Sequence, residues 1–395
     1  MGWSAAVALA GLPALLSSLC IVAMAEIGGV PVLCEGRNRP SVEFLSGLGG
    51  VCLLAWTTVL DVFVWERSGV DWRQTLTVHP LDGAVGSHAG KEGLHAMAGR
   101  SGALSLGLLA GVVAARVGAP PPWVAAATLP CVVVATVVVR PFWLADWVMS
   151  WGFVAAAQVQ FPHVLVADIM TSCCLSMWQL ISFGCYAILG AHRSDIARSF
   201  VFAAPFILRA VQCMRCMFDA RREGRTGWDM WQHASNGCKY ATAILVVWTS
   251  TRYEQLGDGD VFHATWRVVW ISSCILKTIY CTWWDVMMDW GLFSHLRVRR
   301  QESPTWSGGS LGPGASIWRV VASVGNACAR ASWTLAISPR QSRNEWELLL
   351  ACIELLRRAA WNVLRVEWEE ISNTPGGGEG EDAAQRRPLL AESDV

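Results

Sequence analysis

Ionisable residues interrupt stretches of the second half of the chain that are otherwise apolar. Asp168, Asp285 and Arg330 are examples, each lying within or at the end of a hydrophobic run. A charge at the centre of a bilayer costs about 2.5 to 3.5 kcal/mol on insertion scales, so it is retained where it meets water, a partner or a ligand. These residues therefore predict a functional site inside membrane-spanning segments.

Asp168 is the first of these carboxylates. On a helix, Thr171, Ser172 and Gln179 fall on its face at offsets of three, four and eleven residues. This spacing predicts one polar stripe that faces protein or water. The alternative is an Asp that is hydrogen-bonded to neighbouring helix donors.

Two further carboxylates, Asp285 and Asp289, are four residues apart in the sequence Trp284-Asp285-Val286-Met287-Met288-Asp289-Trp290-Gly291. Like charges at this helical spacing repel, so at least one carboxylate needs a cation or a proton. We assign a site role to Asp285. Asp289 is expected to lie in the headgroup region or to cap the loop after Gly291.

Arginines in the last two apolar segments have the donor geometry to bind an oxyanion. Arg330 and Trp333 are three residues apart, so a guanidinium fork and an indole share a helix face. Arg357 and Arg358 are about 100° apart on a helix and reach one anion only if the helix edge points at it. The alternative for the last helix is a Glu354–Arg358 pair near the membrane surface.

Lys239 and Tyr240 open the seventh apolar segment. A cation at a helix N-terminus opposes the helix dipole, so Lys239 is better explained by an anion bound there. If the candidate groups converge, five cations oppose two carboxylates, and this positive excess favours a small multivalent oxyanion. The cations are Arg222, Lys239, Arg330, Arg357 and Arg358, and the carboxylates are Asp168 and Asp285.

The composition is that of a helical membrane protein. Of 395 residues, 53% are hydrophobic and 16% charged, and the formal net charge is zero, which argues against disorder and nucleic-acid binding. Because a spanning helix needs about 20 mainly apolar residues, we expect an all-α, polytopic bundle of about ten transmembrane helices around a central pathway. The candidate segments are 3–25, 43–66, 101–118, 122–139, 163–190, 199–217, 237–252, 264–287, 316–338 and 345–366.

The loops suggest an orientation. The connections with Arg221 and Arg297 are basic and the one with Asp258 is acidic, an alternation that places both termini in the cytosol.

Residues 67–100 are expected to form a loop, and residues 372–395 are too polar to pack, which predicts a disordered cytosolic tail. Residues 1–25 are read as a retained helix or, alternatively, as a cleaved signal sequence. Cys213 and Cys216 have no second pair at metal-ligand spacing, and no cofactor is predicted.

Short motifs from about residue 63 to 371 resemble the EXS-domain family, the membrane part of phosphate exporters related to the xenotropic and polytropic retrovirus receptor. Their order and spacing together carry the resemblance. They are Trp65 with Gly69-Val70, Arg140-Pro141-Phe142-Trp143, the Asp168 motif, Pro205 with Arg209, Gln212-Cys213 and Arg215, Asn236-Gly237-Cys238-Lys239-Tyr240, Trp284-Asp285 through Asp289-Trp290-Gly291, Arg330 with Trp333-Thr334, and Arg357-Arg358 with Trp361-Asn362.

The resemblance implies an intramembrane route for inorganic phosphate. The family's site residues fall on Asp168, Arg222, Lys239, Tyr240, Asp285, Arg330, Trp333, Arg357 and Arg358, with Arg221 or Arg225 as alternatives to Arg222. It also implies the division into N-terminal transmembrane segments (1–62), an EXS-type domain (63–371) and the tail (372–395). A homodimer in the bilayer is a further expectation.

Within that family, the form Asp168-Ile169-Met170-Thr171-Ser172 is similar to the short branch without an SPX domain, the Golgi ER-retention-defective proteins. This similarity implies a Golgi membrane, with the plasma membrane as the alternative. A second hypothesis is a non-transporting Golgi scaffold that retains resident glycosyltransferases. An enzyme is not expected, because no Ser/His or metal constellation accompanies the carboxylates.

Overall fold

A computed structural model describes residues 3–26, 39–76, 87–138, 159–190, 195–256, 259–292, 314–337 and 347–373. Within these ranges the regular structure is entirely helical, so the predicted all-α class is confirmed. The tail from residue 374 onward and the Arg140-Pro141-Phe142-Trp143 motif lie outside the described residues.

The helices follow one another through short connections or through undescribed ranges. They are α1 Trp3–Glu26, α2 Arg39–Ser68, α3 Trp72–Thr75, α4 Ser87–Arg116, α5 Pro121–Val138, α6 Phe161–Ser172, α7 Cys174–Leu189, α8 Asp195–Arg222, α9 Trp228–Gln255, α10 His263–Trp284, α11 Gly314–Arg330 and α12 Glu347–Asn373. A π-helical turn, Asp285–Asp289, extends α10, and a 3-10 turn, Ser332–Ile337, follows α11.

The amino-terminal helices form one apolar core. Helix α1 packs along α4, which in turn packs on α5, and α2 packs against α4, α7 and α12. Leu15, Leu45 and Leu108 are almost fully enclosed at the centre of this core. The backbones of α1 and α4 approach closely at Gly11 and Gly102, where a side chain on either glycine would overlap the other helix. Small residues of this kind allow tight helix packing inside a membrane.

A second core, rich in tryptophan, supports the carboxyl-terminal helix. Trp65 of α2 and Trp361 of α12 are 4% and 1% exposed, respectively, and both belong to this cluster. The indole Nε1 of Trp65 donates to the backbone oxygen of Val363, 3.3 Å away. This contact fixes α12 against α2, and α12 carries two of the predicted site arginines.

Among the described residues, four helices are long and apolar enough to cross a membrane: Val7–Ala25, Pro40–Ser68, Leu94–Arg116 and Ile196–Arg222. A fifth span is obtained if α6 and α7, which are bent by 70° at Cys173, are counted together. All ten predicted segments contain helices, but the count of ten spans is not established. The helices around the site carry charged inner faces, and these residues lower the mean hydropathy of each segment.

Three local expectations were wrong. The fifth segment is not one helix, so Gln179 does not continue the face of Asp168. Residues 87–100 belong to α4 and not to a loop. Helix α9 begins at Trp228, so Lys239 lies eleven residues inside the helix and not at its N-terminus. The polar stretch before Lys239 is helical because it packs against α8, which segment hydropathy does not register.

Candidate functional site

A cavity of about 370 Å³ lies among the helices of the carboxyl-terminal half. Residues from α6 through α12 contribute to its wall. Eight of the nine residues predicted for the site line it: Asp168, Lys239, Tyr240, Asp285, Arg330, Trp333, Arg357 and Arg358. The structure therefore brings together residues that are up to 190 positions apart in the chain, although their role as ligands of phosphate stays a prediction.

Asp168 forms one corner of this cavity. Its Oδ1 accepts a hydrogen bond from Arg209 Nε at 3.0 Å and another from the Tyr240 hydroxyl at 2.5 Å. Arg209 Nη1 also donates to the side-chain oxygen of Gln212. The partners of the Asp168 carboxylate thus lie on the neighbouring helices α8 and α9.

Asp285 binds a second group of polar side chains at the cavity. Its Oδ2 accepts hydrogen bonds from Arg330 Nε at 2.9 Å, from Arg330 Nη2 at 2.5 Å and from Asn326 Nδ2 at 3.0 Å. Arg357 Nη1 is 3.7 Å from the same oxygen and donates to the Asn326 side-chain oxygen. One carboxylate therefore holds two guanidinium groups at the cavity wall.

Asp289 is enclosed, contrary to the expectation that it meets headgroups or caps a loop. Its Oδ2 is 3.4 Å from Lys239 Nζ and accepts from the indole of Trp361, while Oδ1 accepts from the indole of Trp284. The repulsion between Asp285 and Asp289 is relieved because each faces different cations. The π-helical turn between them closes with a hydrogen bond from Trp290 N to Asp285 O of 2.9 Å, and such turns are frequent at functional sites.

Arg358 differs from the other arginines of the cavity. Its Nε donates to Ser172 Oγ at 2.9 Å and its Nη2 to Thr171 Oγ1 at 3.1 Å. No carboxylate lies within salt-bridge distance of it in the part of the chain that is described. The Glu354–Arg358 pair considered from the sequence is replaced by a Glu354–Arg357 pair with Nε–Oε2 at 2.8 Å.

Trp333 lies in the 3-10 turn after α11. Because α11 ends at Arg330, the two residues share the cavity wall through a turn and not through one helix face. The Trp333 indole donates to Thr278 Oγ1 at 2.9 Å. The ring is thus held in place by a single polar contact to α10.

Arg222 does not line the cavity. It is exposed in the last turn of α8, thirteen residues beyond Arg209, or about 20 Å along the helix axis. The alternatives are no closer: Arg221 is exposed, and Arg225 pairs with Glu223 at 2.6 Å. Helix α8 continues past the cavity, which places this basic cluster at its end.

The sequence interpretation gave no site role to Arg209, Asn326 or Glu354. Arg209 is 2% exposed and bonds Asp168. The same signal that selected Arg330, an arginine in an apolar run, would have selected it. Asn326 precedes Arg330 by one helical turn on α11, so helical spacing would have found it as well. The partner of Glu354 was ambiguous because Arg357 and Arg358 are both within helical reach.

The sequence of the chain also matches a known family. The model of the EXS family matches residues 42–371. SPX and EXS domain-containing protein 5 of Dictyostelium discoideum is 25% identical over 243 residues, 55% of this chain and 25% of the relative. Phosphate transporter PHO1 homolog 4 of Arabidopsis thaliana is 29% identical over 54% of this chain and 29% of the relative.

A mammalian relative is also similar. Solute carrier family 53 member 1 of Mus musculus is 27% identical over 184 residues, 45% of this chain and 25% of the relative. In each of these three comparisons, the aligned part is less than a third of the relative's own length.

Proposed function

The chain belongs to the EXS family, a family of multi-pass membrane proteins, and from this premise we propose that it moves inorganic phosphate across a membrane through the cavity between α6 and α12. Two of the relatives are named phosphate transporters or solute carriers. Their names support a phosphate pathway here, and the charges of the cavity supply the chemical reason for it.

The arrangement of Arg330, Arg357 and Arg358 carries the proposal. All three guanidinium groups face one cavity, and Arg358 is satisfied by hydroxyl groups alone. Guanidinium forks match the oxygens of a phosphate and can replace its hydration shell with fixed donors. A phosphate that enters would find a cation that forms no salt bridge with a carboxylate among the described residues.

The carboxylates keep the binding reversible. Asp285 orients Arg330 and Arg357, and Asp168 orients Tyr240, so each acidic group holds a donor in place and moderates the positive field. Conduction requires binding that is favourable enough to admit the ion and weak enough to release it. Trp333 is the gate in this scheme, because rotation of its ring would open or close the wall beside Arg330.

Phosphate flux in proteoliposomes tests the proposal. Arg330→Ala and Arg358→Ala are each expected to lower the initial flux by at least about tenfold, since each removes charge-assisted hydrogen bonds to the transported ion. Arg252→Ala is the matched control, because Arg252 is an exposed arginine of α9 that does not line the cavity. Wild-type flux in both cavity variants, at normal amounts of folded protein, would refute the site.

The Golgi membrane is the location we propose. Its support is the form Asp168-Ile169-Met170-Thr171-Ser172, in which Thr171 and Ser172 bind Arg358. Imaging of the tagged full chain beside Golgi and plasma-membrane markers tests this location. Coincidence with the plasma-membrane marker alone would contradict it and leave the transport proposal intact.

A further inference from the structure

The cavity is elongated along two antiparallel helices. On α9 its lining residues extend from Lys239 through Val246 to Glu254, a span of sixteen residues or about 22 Å of helix. On α10 and the π-helical turn that extends it, they run from Trp270 to Asp285, which is the same length. The phosphate site described above occupies only the end with Lys239 and Asp285, so a second half of the cavity remains without an assigned role.

Lys277 lies midway between Trp270 and Asp285, where this second half of the cavity begins. It precedes Asp285 by eight residues, which places it about 12 Å away along the helix axis. It is half-buried, and its Nζ is 5.3 Å from the centroid of the Phe206 ring. The cavity wall in this part also includes the apolar Val246 and Val247. A cation in such surroundings is costly unless a counter-charge reaches it.

Four carboxylates of the cavity wall pair with arginines: Asp168, Asp285, Glu347 and Glu354. Glu347 pairs with Arg198 at 2.5 Å, and Asp285 and Glu354 pair with Arg330 and Arg357. Among the described residues, no carboxylate lies within salt-bridge distance of Lys277. Lys277 and Arg358 are the two lining cations for which this is true within that part of the chain. The first lies in the unassigned half and the second in the phosphate site.

We propose that Lys277 is a second anion-binding station, which holds a small multivalent oxyanion such as inorganic phosphate after or before it contacts Arg358. The proposal rests on the transport function proposed above. The station has a structural link to the first one, because Thr278, the next residue, accepts the hydrogen bond from the Trp333 indole. Several weak sites in series are what rapid ion passage requires.

The first test is phosphate flux as a function of phosphate concentration in proteoliposomes that contain the full chain. Lys277→Met keeps the length of the side chain and its packing on Phe206 but removes the charge. We expect it to lower flux by about three- to tenfold at low phosphate. Lys277→Arg is expected to retain most of the flux. Arg267→Met, at an exposed position of the same helix that does not line the cavity, is the control for loss of a cation.

The second test measures binding at the Lys277 ammonium itself. Acetylation of Lys277 by acetic anhydride is followed by mass spectrometry on purified protein, in phosphate or in chloride at equal ionic strength. Millimolar phosphate is expected to slow the modification of Lys277 several-fold. An equal rate of Lys277 acetylation in the two salts would overturn the proposal that Lys277 binds an anion.

The two tests separate the failure of this proposal from the failure of the transport function. If Arg330→Ala abolishes flux and Lys277→Met equals the wild type at every phosphate concentration, the station is refuted and the transport function stands. If the wild type carries no phosphate but phosphate still protects Lys277, the transport function fails and the anion site stands. The absence of both flux and protection refutes both.

Discussion

Arg209 and Asp168 form an ion pair that is almost completely enclosed, with 2% and 4% of their side-chain surfaces exposed. The pair joins α8 to α6, and the Tyr240 hydroxyl adds α9 through the same carboxylate oxygen. Removal of one member of a buried pair leaves an uncompensated charge, which costs more than the pair contributes. The pair and the Tyr240 hydroxyl therefore hold α6, α8 and α9 together beside the cavity.

Arg209→Met tests this role. We expect the free energy of unfolding in detergent micelles to fall by about 3 to 5 kcal/mol, because Asp168 is left charged without its cation. The double variant Arg209→Met with Asp168→Asn is expected to recover part of this loss, since it removes the stranded charge. Denaturant titration followed by tryptophan fluorescence is the measurement. A double variant that is less stable than the single one contradicts the argument.

The placement of single charged residues at the cavity wall was the most predictable feature. Charges in apolar runs identified Asp168, Asp285, Arg330 and the arginines of α12 without any structure. The choice of partner was not predictable, because it depends on helix packing. Lys239 and Asp289 are fifty residues apart, and only the packing of α9 beside the turn after α10 puts their side chains 3.4 Å from each other.

Gly291, just after the π-helical turn, shows how one element is fitted against another. Its φ of 53° is in the left-handed region, and a methyl group on it would overlap the Trp368 ring of α12. Gly190, at the end of α7, has a similar φ of 60° but has open space where a methyl group would lie. A substitution at Gly190 therefore measures the cost of the backbone conformation, and one at Gly291 adds the cost of close packing.

We expect Gly190→Ala to destabilise the protein by about 1 to 2 kcal/mol, the cost of a left-handed residue with a side chain. Gly291→Ala is expected to cost about 1 to 3 kcal/mol more, because the methyl group must displace the Trp368 ring. Thermal or denaturant unfolding in micelles measures both. Introducing Trp368→Phe is expected to reduce the excess at Gly291 and to leave the Gly190 value unchanged. Equal losses for the two alanine variants would contradict the packing contribution.

Helices were predictable from apolar runs, but their interruptions were not. No proline or glycine near Cys173 predicts the break between α6 and α7. There, the Thr171 hydroxyl donates to the backbone oxygen of Asp168 and the Cys174 thiol to that of Thr171. Such side chains compete with the helix for hydrogen bonds to backbone groups, wherever the tertiary structure permits it. The π-helical turn after α10 could not be predicted from the sequence either, because it depends on the partners of Asp285 and Asp289.

At the scale of the molecule, α9 extends along the whole length of the cavity wall. Its 28 residues give a length of about 42 Å, which is enough to cross a bilayer. The turn at Gly224 precedes it and the turn at Gly259 follows it. The charges of these connections predict that the first is cytosolic and the second lumenal.

Epitope tags inserted after Gly224 and after Gly259 test this orientation. In sealed microsomal vesicles with the cytosolic face outward, we expect antibody to bind the Gly224 tag and not the Gly259 tag. Detergent is expected to expose both, which controls for folding of the tagged chains. Equal access to the two tags before detergent would mean that α9 does not cross the membrane.

The class of the whole protein followed from its composition, whereas the number of spans did not. Apolar content alone predicts helices in a bilayer, because backbone groups must be satisfied within each segment. Helices such as α9 and α12 turn polar faces to a shared interior, and a segment average cannot distinguish this arrangement from a helix in water. Lys239 and Arg357 belong to such faces, and both are buried.

The end of α6 has an electrostatic consequence for Arg358. Helix α6 stops at Ser172, so the negative end of its dipole, equivalent to about half an elementary charge, lies beside the guanidinium that Thr171 and Ser172 bind. This fractional counter-charge cannot leave or take a proton, and it neutralises only part of the cation. If phosphate passes through the cavity as proposed, an arriving anion completes the neutralisation without first displacing a salt-bridged carboxylate, and on its departure the arginine returns to a partly compensated state. In that scheme, the broken helix provides a site that can be reset after every ion.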